Sequence, residues 1–120
     1  MKHRIPKGGF FAGKYKNRSF EDIEHRLRKS GAQYFVLYDQ GLVLASWIEF
    51  RGQGLWTGEN MAVAYDLDLT NEDELNNLSD LRQHGQRDPG RLLWALYRKF
   101  GLDFVDRLRG AFGFALWDGV

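Results

Sequence analysis

The last fourteen residues constrain the fold more than any other stretch of the chain. They read RLRGAFGFALWDGV, an apolar and aromatic run followed by Asp118-Gly119. An Asp-Gly pair after such a run is a strong signal for a two-residue hairpin loop, which joins two antiparallel strands. The pattern therefore predicts a strand over Ala111–Trp117, and only Val120 follows the predicted turn. We expect the returning strand to come from a longer protein that contains these residues, or from another chain, identical or different.

A terminal strand without its neighbour presents unpaired backbone groups and apolar side chains. Such an edge is a template for pairing with another chain. We therefore expect either a homo-oligomer or a partner chain that completes the sheet. The predicted interaction edge consists of Phe112, Phe114, Leu116 and Trp117.

The composition is typical of a soluble domain with one core. Hydrophobic residues make up 43% of the 120 residues and charged residues 28%, which argues against disorder. The sequence shows neither a signal-peptide core nor an apolar run long enough to cross a membrane. The absence of cysteine excludes disulfides, thiolate metal sites and cysteine nucleophiles. We expect a cytoplasmic protein with no membrane partner.

The charge is balanced overall but uneven along the chain. A net charge of +1 gives no global electrostatic reason to bind nucleic acid, so that partner is not expected. Residues 1–28 hold eight Lys or Arg against three acidic residues, which indicates either a solvated face or arm, or a contact with a polyanion. We interpret residues 1–18 as a basic lead-in with a first strand near 9–15. Residues 19–120 form the predicted domain.

Local patterns predict two well-defined helices. Ser19 and Asp22 form a capping-box pattern before a helical repeat that ends at Ser30-Gly31. Asp88-Pro89 is a good start for a second helix, whose apolar stripe runs up to Gly101.

Other patterns predict strands and loops. Residues 33–50 read as two β-rich runs around a turn at 39–41, and Met61–Leu69 alternates with period two. The stretch RGQGLWTGEN, residues 51–60, is interpreted as a Gly-rich loop. Strands mixed with capped helices, without βαβ alternation, indicate an α+β sandwich.

Asp66 and Asp68 are the candidate acidic pair. They lie two residues apart on a predicted strand and therefore share a face, where they could share a proton or a metal ion. The alternative is a polar face at the strand end, because no third oxygen ligand or catalytic histidine accompanies them in the sequence. The three histidines lack metal-ligand spacing, and the glycine-rich stretches lack the residues of a phosphate-binding loop. The residues alone therefore predict neither a metal site nor an active site.

Three stretches resemble a known family. LLWALYRKFGLDFVDRLRGAFGFALWDG, residues 92–119, closely resembles a signature near the end of the glutamine-hydrolysing domain of asparagine synthetases, which is a class II glutamine amidotransferase. AYDLDLTNEDEL, residues 64–75, is similar to the family's strand with an Asn-Gly-Glu motif and the asparagine-capped helix after it. GFFAGKY, residues 9–15, is similar to the family's first strand. The resemblance implies an αββα sandwich of the N-terminal-nucleophile (Ntn) hydrolase type, truncated after Ala111–Trp117.

The resemblance also locates positions that depart from the family's glutaminase machinery. The family's nucleophile is an N-terminal cysteine, and the matching position here is near Gly9. The family's Asn-Gly pair, which stabilises the oxyanion, matches Asp66-Leu67, where a carboxylate would repel that charge. The positions matching the family's glutamine pocket are Gly9, Trp47, Asp66, Leu67 and Asp88, and we expect none of them to be catalytic.

These departures imply a non-catalytic scaffold or interaction domain of an ATP-dependent amide-forming enzyme. An aspartate at the position of Asp66 also occurs in β-lactam synthetases and lasso-peptide cyclases, relatives that lost the glutaminase. No cofactor is expected in this chain, because ATP and Mg²⁺ would belong to a synthetase domain or partner, whose Ser-Gly-Gly-x-Asp-Ser motif is not in these residues. Two alternatives stay open, an amidohydrolase that uses Asp66 and Asp68, and a stand-alone module that binds a polyanion or peptide through the basic N-terminal segment.

Overall fold

The computed structural model describes residues 8–16, 18–38, 41–79 and 88–119. These residues form a mixed α+β structure with two three-stranded antiparallel sheets and three α-helices. Sheet A has the order β1-β3-β2, and its strands are Gly9–Lys14 (β1), Tyr34–Leu37 (β2) and Leu42–Trp47 (β3). Sheet B has the order β4-β5-β6, and its strands are Gln53–Gly58 (β4), Met61–Leu69 (β5) and Gly110–Asp118 (β6). The α-helices are Phe20–Lys29 (α1), Glu72–Ser79 (α2) and Pro89–Phe100 (α3), and a 3-10 helix follows at Gly101–Arg107.

The two sheets pack face to face, and helices lie on their outer sides. Small and aliphatic side chains of β5 and β3, namely Ala62, Ala64 and Leu44, are buried between the sheets. The alternate residues of β5, which include Val63 and Tyr65, form the larger core with α2, α3 and the 3-10 helix. α1 lies over the outer face of sheet A, where it contributes Ile23 and Leu27 to a shared cavity. β5 is thus buried on both faces for most of its length, and its two sets of side chains face different layers.

The predicted helix starts are confirmed in atomic detail. The Ser19 hydroxyl accepts a hydrogen bond from the Asp22 backbone N–H at 3.1 Å, which caps α1. The Asp88 carboxylate accepts from the Gly90 backbone N–H at 2.8 Å, with Pro89 in the first turn of α3. Both caps satisfy backbone donors that have no partner within the helix.

The predicted hairpin of residues 33–50 is present, since β2 and β3 pair antiparallel, although Asp39 and Gln40 of its turn lie outside the described residues. Its second strand is shorter than expected and ends at Trp47. The final strand is slightly longer than Ala111–Trp117, and the first is Gly9–Lys14. Gly119 donates to the Asn60 carbonyl at 2.7 Å, and Val120 of the predicted turn lies outside the described residues.

The interpretation of residues 51–60 as a loop was wrong, because this stretch contains β4. Two of the six residues of β4 are glycines, which are unusual in a strand interior. Packing explains the first: a Cβ on Gly54 would lie 2.5 Å from the Tyr65 hydroxyl oxygen on the neighbouring strand. Glycine at this position therefore makes room for a large side chain of β5 and is not a sign of irregular backbone.

Candidate functional site

Asp66 and Asp68 share one face of β5, as the alternation predicts. That face is directed towards sheet A, and both side chains are exposed beyond the buried Ala62 and Ala64. A cavity of about 320 Å³ opens beside them, with Phe10 and Ala111 among its lining residues. The acidic pair therefore lies at the open end of the space between the two sheets.

Gln53 connects Asp66 to the loop that precedes β4. Its side-chain oxygen accepts from the backbone N–H groups of Glu49 and Phe50, each at 2.9 Å. Its side-chain nitrogen donates to the Asp66 carboxylate at 3.3 Å. A Cβ on Gly8 would lie 2.5 Å from the Gln53 oxygen, so the chain entering β1 passes beside this amide. Gln53 holds three segments together, and Asp66 takes part only as a hydrogen-bond acceptor.

The backbone N–H of Leu67, next to Asp66, is already bonded within the sheet. Its backbone N–H donates to the Gly52 carbonyl at 2.9 Å, which extends the ladder between β4 and β5. Its side chain is 7% exposed and belongs to the core on the helix side of sheet B.

Gly9 and Trp47 are register partners in sheet A, but their strands direct the Trp47 side chain away from Asp66. The Trp47 indole N–H donates to the Ser30 carbonyl at the end of α1, at 3.2 Å. The indole lines the cavity beneath α1 on the outer face of sheet A. Trp47 is therefore not brought together with the other positions that match the family's glutamine pocket.

Asp88 interacts with Tyr65 as well as with its own helix. The Tyr65 hydroxyl donates to the Asp88 carboxylate at 3.3 Å. Burial, followed by the nearby Asp88 charge, raises the pKa of Tyr65 above its ordinary value. A Cβ on Gly90 would lie 2.5 Å from the Trp56 Cβ, so the first turn of α3 packs closely on sheet B. Asp88 is a helix cap fixed to β5 through Tyr65.

A pocket of mixed charge lies between the start of β4, the end of β5 and the start of α3. Its volume is about 530 Å³, and its ionisable lining residues are Arg51, Asp68, Glu72 and Tyr65. Leu67 and Pro89, the neighbours of Asp66 and Asp88, also line it. Sequence reasoning missed Arg51 and Glu72, because Arg51 lies in the stretch interpreted as a loop and no spacing rule connects it with β5. Arg51 and Glu72 give this pocket one cation and one carboxylate, the two charges that a zwitterionic ligand needs.

No group of three or more potential metal ligands occurs within residues 8–16, 18–38, 41–79 and 88–119. His25 is exposed on α1, whereas His3 and His84 lie outside the described residues. Asp66 and Asp68 thus have no third ligand in the part of the chain that the structure describes.

Three basic residues of the N-terminal segment, Arg18, Arg26 and Arg28, form ion pairs where the segment is described. Arg18 and Arg26 form ion pairs with Asp22, at 2.9 Å and 3.4 Å, and Arg28 pairs with Glu24 at 2.8 Å. The hydrogen bond from Arg18 lowers the pKa of Asp22 below its ordinary value. Lys2, Arg4 and Lys7, which also belong to the predicted polyanion contact, lie outside the described residues.

β6 has one hydrogen-bonded neighbour among the described strands, β5. Phe112, Phe114 and Leu116 face the helix side of sheet B, and Phe114 packs against Phe104 at 5.5 Å between ring centroids. Trp117 faces sheet A instead and packs against Tyr38 at 5.7 Å. The side chains of the predicted interaction edge therefore lie on two opposite faces of sheet B. Only the backbone of β6 is common to them.

No helix of the described residues is long and apolar enough to cross a membrane. No family model, curated protein or solved structure matches the chain.

Proposed function

We propose that the chain is a non-catalytic glutamine-amidotransferase-like domain, related to the asparagine synthetases, that acts as a scaffold for an ATP-dependent amide-forming enzyme. The order of its layers supports this proposal, because α1, sheet A, sheet B and α3 follow one another as in the αββα sandwich that the resemblance implies. ATP and Mg²⁺ would be bound by the synthetase domain or partner.

The hydrogen bonds at Asp66 and Leu67 carry the proposal. Acyl transfer needs donors directed at the oxygen on which negative charge develops. Asp66 provides an acceptor that already binds Gln53 at 3.3 Å, and the Leu67 N–H is bonded to Gly52 at 2.9 Å. Neither of the two residues that match the family's oxyanion site thus offers a free hydrogen-bond donor for glutamine hydrolysis in this chain. A cysteine nucleophile is excluded by composition.

Ammonia release from glutamine tests this proposal. We expect the full chain to release no ammonia above buffer. The Asp66→Asn variant should also release none, because restoring an amide at this position does not supply a nucleophile. Asp103→Asn on the 3-10 helix is the control, because it removes a carboxylate away from the acidic pair. Release by the wild type that is lost in Asp66→Asn would overturn the proposal in favour of the amidohydrolase alternative.

The transcript tests the scaffold role from another direction. Sequencing beyond the codon for Val120, and in the neighbouring reading frames, should find a domain with the Ser-Gly-Gly-x-Asp-Ser motif. A transcript and neighbourhood without such a domain would contradict the proposed synthetase partner.

The mixed-charge pocket favours a second candidate function, the binding of a free amino acid without hydrolysis. Arg51 would contact the ligand's carboxylate, and Glu72 its ammonium group. Titration calorimetry with glutamine should show binding that Arg51→Ala reduces at least about tenfold. Arg18→Ala is the control, since Arg18 lies on the other side of the molecule in an ion pair with Asp22. Equal affinities in the wild type and Arg51→Ala would remove this role.

A further inference from the structure

A cationic and aromatic surface lies on α3 beside β4, an edge strand of sheet B among the described strands. Arg91, Trp94 and Arg98 follow one another at helical spacing and line one open cavity of about 530 Å³ together with Trp56 and Met61. Their neighbours Leu92, Leu93 and Leu96 are buried, which fixes the face that α3 presents outwards. We call these five lining residues, Arg91, Trp94, Arg98, Trp56 and Met61, the α3–β4 face.

The arginines of this face have no carboxylate partner among the described residues. The ion pairs of Arg18, Arg26 and Arg28 lie on or beside α1, and α3 itself contains no acidic residue. The Arg98 guanidinium lies 5.9 Å from the centre of the Trp94 ring, and the Trp94 and Trp56 rings are 6.2 Å apart. Tryptophan and arginine side by side are the residue types most enriched where binding energy concentrates in protein interfaces.

The neighbouring strand offers backbone hydrogen bonds as well. β4 pairs with β5 on one side, and no described strand pairs with its other side. Trp56 is on β4 and points to the helix side, so the strand edge and the arginines border the same surface. An extended peptide that adds to a sheet edge gains main-chain bonds from the edge and specificity from alternate side chains.

We propose that the α3–β4 face binds an extended acidic segment of a partner protein, which adds to β4 and directs alternate carboxylates at Arg91 and Arg98. The two arginines are seven residues apart on a helix, or about 10 Å along its axis. Same-face residues of a strand are about 7 Å or about 13 Å apart at spacings of two and four, which flexible arginine side chains can bridge. This inference rests on the proposed scaffold role, since it gives the partner-binding surface of the scaffold.

The probe is a fluorescein-labelled peptide of alternating Glu and Val, with fluorescence anisotropy measured on the full chain at physiological ionic strength. We expect the double variant Arg91→Ala/Arg98→Ala to weaken binding at least about tenfold. The matched control, Arg26→Ala/Arg28→Ala on α1, should stay within about twofold, because those arginines already have carboxylate partners. An alternating Lys and Val peptide should not bind.

Backbone methylation of the probe tests strand addition without changing the protein. Alternate N–H groups of an added strand point to the edge, so one of two peptides, N-methylated at its Glu or at its Val positions, should lose binding while the other keeps it. Four results would overturn the inference: no binding of the Glu-Val peptide, unchanged affinity in the double arginine variant, equal loss with both methylated peptides, or tighter arginine-dependent binding of oligo(dT). The last result would assign the face to single-stranded nucleic acid. None of these measurements depends on ammonia release, so failure here is distinguishable from failure of the proposed function.

Discussion

Helices α1 and α3 carry the same number of Lys and Arg residues, three each, but differ in whether the helix also supplies carboxylates to pair with them. α1 also contains three acidic residues, and its arginines form ion pairs one turn away. None of its residues is buried. α3 contains no acidic residue, buries four of its residues in the core, and leaves Arg91 and Arg98 without a carboxylate partner among the described residues. A dense run of basic residues therefore says less about anion binding than the carboxylates next to it.

The largest expected difference between the two helices is in core packing. Leu93 of α3 is 0% exposed, so Leu93→Ala removes buried methyl groups and leaves a cavity, which should cost about 3 kcal/mol of unfolding free energy. Leu27→Ala in α1 truncates a half-buried side chain at an open cavity and should cost about 1 kcal/mol or less. Urea denaturation followed by circular dichroism measures both values. Equal losses would show that α1 is as much a part of the core as α3.

The helix caps give the next difference. Asp88→Ala removes the acceptor of the Gly90 N–H and leaves the Tyr65 hydroxyl without its partner, for an expected loss of about 2 kcal/mol. Ser19→Ala removes a cap that is exposed and serves one backbone donor, for about 1 kcal/mol. The same denaturation measurement compares them, with Asp88→Asn as a control that keeps the cap oxygen. A smaller loss for Asp88→Ala than for Ser19→Ala would mean that the Tyr65 contact contributes nothing.

These caps were predictable because their signals are local. Ser19 with Asp22, and Asp88 with Pro89, lie within four residues of one another, and the alternation of β5 needs only its own nine residues. The strand β4 was not predictable in the same way, since its glycines are explained by side chains that approach from other elements.

The candidate site depends on long-range contacts throughout. Gln53 bonds to Asp66 across two strands, and Tyr65 reaches Asp88 over 23 residues of chain. No spacing rule relates Arg51 to Glu72, although both line one pocket. The sequence pattern correctly placed Asp66 and Asp68 on one face, because strand geometry alone decides that. What those carboxylates contact depends on the fold of the whole domain.

Tyr65 of β5, which contacts the cap of α3, gives a pH-dependent test. The pKa of Tyr65 is raised in the folded protein by burial and by Asp88, so the unfolded chain ionises first as pH rises. This tyrosine therefore stabilises the fold fully below about pH 10, and that contribution is lost as pH rises further. Tyr65→Phe should make the decline in the urea midpoint above about pH 10 shallower. Part of the decline should remain in this variant, because the pKa values of Tyr38 and Tyr97 are also raised. A decline that Tyr65→Phe leaves unchanged would show that this tyrosine contributes nothing to it.

The smallest effect on stability is expected from the acidic residues of α1, and it tests the comparison most directly. Glu24→Gln breaks an exposed ion pair between side chains that are 44% and 67% exposed, which should cost about 0.5 kcal/mol or less. Asp22→Asn together with Glu24→Gln should leave Arg18, Arg26 and Arg28 without their carboxylates, because Asp22 serves two of them. We therefore expect the double variant to elute from a heparin column at higher salt than the wild type. The control is Asp103→Asn/Asp106→Asn on the 3-10 helix, which changes the net charge equally without freeing the α1 arginines. Equal retention of the two variants would show that net charge, and not the pairing of the α1 arginines, determines anion binding at this end of the molecule.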